Sequence, residues 1–110
     1  MSNVSLTALA REQLELATTA SSGRSAHTVF GGHEHRLRQT LIALESGTRL
    51  AEHANPGEAT VHVLHGRIRL DAGEASWEAA AGHLLAVPDS AHSVLALEDA
   101  VILLTAVNRA

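Results

Sequence analysis

From residue 25 onward the chain is a run of short apolar segments, each closed off by Gly, Pro, Asn or Asp. Segments of this length, roughly 8–12 residues apart, favour an all-β sandwich or barrel. The spacing predicts strands near 26–31, 36–45, 48–54, 60–65, 67–72, 75–79, 83–87, 92–97 and 100–107. Gly31-Gly32, Ser46-Gly47, Gly66 and Ala72-Gly73 are turn signals between them. Pro56-Gly57 suits a type II turn, where Gly takes the position that needs a positive φ. Leu95–Leu97 and Val101–Val107 follow closely enough to make a hairpin with Glu98-Asp99 at its tip. Residues 100–107 are almost all apolar, so that strand is expected to be buried on both faces. One face would look into a barrel, and the other would meet the N-terminal helix or a second subunit.

Residues 5–20 read differently. Leu6, Leu9, Ala10, Gln13, Leu14 and Ala17 recur at helical spacing behind Ser5, a natural N-cap. Arg11, Glu12 and Glu15 fall largely on the other side. A short helix with one apolar stripe persists only when docked. The expected organisation is one domain overall, with an N-terminal helical arm over 1–24 and a barrel over 25–110.

Composition narrows the chemistry. At 110 residues, 45% are hydrophobic but only Trp77 and Phe30 are aromatic, so the core must be Leu, Val, Ile and Ala. There is no Cys, which removes disulfides, zinc fingers and thiol catalysis. All eight cations are Arg and the net charge is −4, a poor match for a nucleic-acid partner. No run approaches the ~20 apolar residues of a membrane span. The N-terminal residues lack a basic region followed by an apolar one. A cytoplasmic protein is the expectation. The unusual count is eight His.

Two of them sit in spaced motifs. Gly47, five residues, His53, one residue, Asn55, and then Val63-Leu64-His65-Gly66 resembles the first motif of the cupin superfamily. Gly82, five residues, Pro88, then His92-Ser93-Val94 resembles the second. The resemblance covers about residues 36–107 and is closest to small bacterial single-domain cupins of unassigned function. It implies an all-β jelly-roll barrel, the cupin double-stranded β-helix, here with a short N-terminal helix. It also implies a pocket at one end that in many members holds one divalent metal. The family's ligands are two His and an acid from the first motif and a His from the second. His53 matches the first of these, and Asn55 stands where the second His belongs. Ala59 occupies the acid position, and His92 matches the motif-two His.

That pattern weakens the implied metal site. The candidate divalent metals are Zn, Ni, Fe, Cu or Mn; imidazoles suit Zn, Ni, Cu and Fe, but two alone bind weakly, and Asn offers only a neutral oxygen. Asn55, Glu58 and His62 are the candidates for a further ligand. Strand alternation turns Glu58 away from Ala59, unless a bulge after Pro56-Gly57 brings it inward to complete two His and one carboxylate. Glu52, next to His53, would face outward on a regular strand. Counted by twos from 59, 61 and 63, His62 points out of the barrel. His65 sits at an exposed turn, and His33-Glu34-His35 reads as a solvated hairpin tip. His27 and His83 have no partner at a telling spacing.

Three functions compete on this reading. The first is a pocket lined by Leu, Val and Ile that binds a small molecule, with His53, Asn55 and His92 as its polar groups and a weak metal at most. The second is a metal-dependent dioxygenase or isomerase using His53, His92 and a carboxylate. The third is a non-catalytic dimeric sensor or interaction module. A homodimer is expected in each case, because a small antiparallel sheet has edges to cover. The fold cannot choose among them.

Overall fold

The computed structural model describes residues 3–53 and 57–108. It contains one helix, α1 (Leu6–Thr19), followed by nine strands. These are β1 (Arg24–Phe30), β2 (Leu37–Leu44), β3 (Arg49–His53), β4 (Gly57–His65) and β5 (Arg67–Ala72). They continue with β6 (Ala75–Ala80), β7 (Leu84–Ala86), β8 (His92–Ala96) and β9 (Ala100–Asn108). Each strand expected from the apolar segments is present. Pro56, half of the expected β3–β4 turn, lies outside the described residues.

The strands form two antiparallel sheets, in the orders β1-β2-β9-β4-β7 and β3-β8-β5-β6. Leu44, Val61, Val63, Ile68, Leu70, Val94 and Ile102 meet between the sheets as one core. Among the described residues only β1–β2 and β5–β6 are hairpins in the strict sense. The hairpin expected around Glu98-Asp99 is not one: β8 pairs with β3 and β5, whereas β9 pairs with β2 and β4. The link crosses from one sheet to the other. Both strands keep an apolar face toward the shared core, so local pattern alone does not separate the two arrangements.

The helix forms the third layer. Ser5 caps it by accepting from the Ala8 N–H at 3.2 Å. Leu9, Gln13 and Ala17 are its buried residues, one stripe at helical spacing. Leu9 and Ala17 join Leu41, Ala43, Val101 and Leu103 on the outer face of the five-stranded sheet. This accounts for the doubly apolar β9. Ala100 and Ile102 face the barrel, while Val101 and Leu103 face the helix. Buried Gln13 is satisfied by the Ser25 hydroxyl of β1, which donates to its side-chain oxygen.

On the outer face of the four-stranded sheet, Asp71 holds three strands together. Arg69 donates to both of its oxygens, at 2.8 and 3.2 Å. Arg49 Nη1 donates to Asp71 at 3.1 Å and to the Ser93 hydroxyl at 2.8 Å. Hydrogen bonding to Arg69, then to Arg49, holds the Asp71 carboxyl below its usual 3.8. The sign follows from that lowering. The cluster stabilises the fold fully above pH ~4 and fades as the pH falls through the lowered value. Asp71→Asn is therefore expected to lower stability at pH 7 and to flatten the acid limb of a urea-midpoint profile. A profile identical to that of the parent protein would rule the cluster out as a contributor.

Candidate ligand site at the barrel mouth

One end of the barrel collects the ends of β2, β3, β4, β8 and β9, with the link that follows β7 beside them. Strand β3 ends at His53 and β4 begins at Gly57, and four Cα steps span at most about 14 Å. The start of β4 pairs with the end of β9, Glu58 opposite Val107. The same Val107 pairs with Leu37 at the start of β2. Strand β8 begins here with His92, and the Val87 N–H donates to the Ala59 carbonyl at 2.9 Å.

The ladder between β3 and β8 sets the central feature. Leu50 pairs with Val94, but the next pairing is His53 with His92. Two residues of β3 therefore stand against Ser93, a β-bulge. The bulge brings position 53, rather than position 52, opposite His92. Directly paired positions on antiparallel strands have Cα atoms about 4.5–5.5 Å apart. The two histidine positions that the sequence motifs set apart are thus cross-strand neighbours in backbone register.

His92 is 4% exposed. It falls on the same side of β8 as Val94 and Ala96, which are in the barrel core. Its Nδ1 lies 3.1 Å from the Ser90 carbonyl oxygen. A carbonyl only accepts, so Nδ1 carries the proton in the neutral ring and Nε2 carries the lone pair. The backbone of the β7–β8 link thereby fixes both the tautomer and the ring orientation, as it does for histidines that serve as ligands.

The remaining expected site residues divide. Asn55 lies outside the described residues. Ala59 is half-buried on the inward side with Val61 and Val63, and has no donor to offer there. The β4–β9 register runs unbroken from Gly57 to Val63, so no bulge turns Glu58 inward. Glu58 is exposed and lines a hollow with Thr60, Thr105 and Val107 on the outer face of the sheet. His62 has the same outward parity, paired with Leu103 and Leu84. His33 and His35 are exposed at the β1–β2 turn, where His35 makes an edge contact with Phe30. The His35 N–H donates to the Gly32 carbonyl at 3.1 Å.

Sequence reasoning passed over Arg38. The unbroken β2–β9 ladder puts Arg38 and Thr40 on the same side as Ile42 and Leu44, which border the barrel core. Arg38 is exposed at the mouth end, opposite Ala106. The available signal was a cation two and four positions ahead of Thr40 and Ile42 on an otherwise inward set. The bulge in β3 had no such signal.

No family model matches the chain. No curated protein matches it either. Solved structures do. A conserved protein of unknown function from Streptococcus pyogenes is 23% identical at a TM-score of 0.74, covering 83% of this chain and 79% of that one. A cupin superfamily protein from Desulfitobacterium hafniense also gives 0.74, at 14% identity, over 86% of this chain and 88% of that one. An RmlC-like cupin from Desulfovibrio desulfuricans is 24% identical with a TM-score of 0.66, over 74% and 79% of the two chains. Two antiparallel sheets around one core, histidine positions paired at one mouth and these neighbours lead to one conclusion: the chain has the cupin fold.

Proposed function

We infer that the chain is a small-molecule-binding cupin whose ligand enters the barrel at the His53–His92 end. The reading rests chiefly on the backbone pairing of those two positions. The buried, carbonyl-oriented ring of His92 supports it. Apolar walls with a few fixed polar groups are the usual composition of such sites.

The donor set fits a metal that exchanges readily rather than a resident one. Two imidazole positions and the neutral Asn55 are what the motifs supply, with Ala59 at the acid position and Glu58 on the outer face. A borderline divalent ion such as Zn or Ni would be held by His53 and His92 and would present a Lewis-acidic face to a ligand. The dioxygenase or isomerase reading needs a third strong donor, and Glu58 has the wrong parity to be one. A homodimer accords with Leu37 and Val107, paired and exposed beyond the area that the helix covers.

The test uses protein made without a His tag and dialysed against a mild chelator. Well under one equivalent of metal is expected by elemental analysis. In a thermal-shift screen of metabolites, a true ligand at 100 times its Kd stabilises by about 2.7 kcal/mol. That shift should vanish in the His53→Gln/His92→Gln double variant, provided circular dichroism shows it folded. A near-equimolar metal retained through dialysis would overturn the weak-metal reading. A ligand whose shift survives the double variant would overturn the location.

A further inference from the structure

A cavity lies outside the barrel, between α1 and the sheet on which the helix rests. Its volume is about 360 Å³, inside the ~300–1,000 Å³ range of small-molecule sites. Leu6, Ala10 and Leu14 form its helix wall, and Leu64 and Val101 form its floor. The cavity exists because the helix buries only its Leu9–Gln13–Ala17 stripe against the sheet. The neighbouring Leu6–Ala10–Leu14 stripe packs against the same cluster only in part and overhangs the rest, with Ala10 too small to close the gap.

Two cationic or protonatable groups edge this apolar space. Arg11 contributes to the lining from the helix. Among the described residues it forms no ion pair. His65 contributes from the end of β4. Its presence there is the work of a second bulge. The β4–β9 register shifts between Val63 and His65, so that His65 pairs with Val101. On an unbroken strand, position 65 would share the inward parity of Val61 and Val63. The bulge re-aims it to the helix side, where Leu64 already packs. Among the described residues no acid lines the cavity.

We propose that this cleft binds a medium-chain monocarboxylate, its alkyl chain between the helix and the sheet and its carboxylate at Arg11 and His65. The chemistry follows from the lining. The walls are aliphatic apart from Thr7, the single full charge is a guanidinium, and a guanidinium prefers a planar carboxylate. The volume is about twelve times a water's ~30 Å³ share of the liquid, which suits a chain of about eight to ten carbons. The site is independent of the barrel mouth and does not rest on the function proposed for it.

Isothermal titration with sodium decanoate, below its aggregation concentration, tests the assignment on the full chain. Saturable one-to-one binding is expected. Arg11→Glu, at an exposed helix position, should weaken it at least tenfold, and decanol should bind at least tenfold more weakly than decanoate. Ala10→Phe fills the gap and should abolish binding while the circular dichroism spectrum stays unchanged. His65→Gln should weaken binding about threefold. Absence of decanoate binding up to 1 mM to the parent protein would overturn the proposal. So would equal affinity in Arg11→Glu, or loss of binding in His92→Gln with retention in Arg11→Glu, which would put the ligand in the barrel. Binding to phosphatidylglycerol vesicles but not to free decanoate would overturn it in favour of a membrane surface.

Discussion

Replacing Gly66 by Ala is expected to destabilise the protein by about 3–4 kcal/mol, a large share of the ~5–15 kcal/mol typical of a small domain. Two causes combine. Gly66 joins β4 to β5 with φ +74°, in the left-handed region that L side chains rarely adopt. A Cβ there would also run into backbone: it would overlap the Asp99 carbonyl oxygen and sit 3.0 Å from the Ala100 Cα. That backbone is not free to retreat. The Asp99 carboxylate accepts from the Ser46 N–H at 2.8 Å, and Leu97 N–H donates to the Arg67 carbonyl at 2.9 Å. Gly73 is the control. Its φ of +58° is also left-handed, but a Cβ would meet nothing within 4 Å. Gly73→Ala should cost only about 1–2 kcal/mol. Urea midpoints of the two variants separate conformation from collision. Equal losses would show that the close approach to the 99–100 backbone contributes nothing.

The same glycine shows what could be read from the residues. Gly66 announced a tight turn, and the apolar segments around it announced strands, because both signals are local. Pairing is not local. Gly66 carries the chain from one sheet to the other, just as Glu98-Asp99 does, and nothing in the residues of either link distinguishes a crossing from a hairpin. The partner of each strand is chosen by the shared core, where Ile102 and Val94 arrive from opposite sheets.

The site divides in the same way. His53 and His92 were marked by motif spacing, and the alternation that turned Glu58 and His62 outward follows from period two alone. The bulge that pairs position 53 with His92 could not be counted from the sequence, since one residue more or less on β3 leaves the apolar pattern unchanged. The Ser90 carbonyl behind His92 was equally hidden, because every residue has a carbonyl and only the path of the β7–β8 link decides which one is near. The second bulge, at Leu64, left His65 looking like an ordinary turn residue. It lines a cavity only because α1 lies over that end of the sheet.

Strand β9 offers the sharpest test of the three-layer arrangement. On a sheet with one solvated face, alternate residues along a strand differ greatly in their tolerance of truncation. Here neighbouring residues should both be costly. Ile102 is 1% exposed and lies in the barrel core, so Ile102→Ala should cost about 3–5 kcal/mol. Leu103 is 8% exposed beneath the helix, and Leu103→Ala should cost about 2–3 kcal/mol, because a docked helix can partly settle into the gap. Coupling then identifies the layers. Leu9 shares the outer cluster with Leu103, so the double variant Leu9→Ala/Leu103→Ala should depart from additivity by more than ~0.5 kcal/mol. Leu9→Ala/Ile102→Ala spans two cores and should add within that margin. If Leu103→Ala were neutral, the helix would not be seated on β9 in solution. The cleft that depends on its overhang would then go with it, while the barrel and its histidine pair would stand.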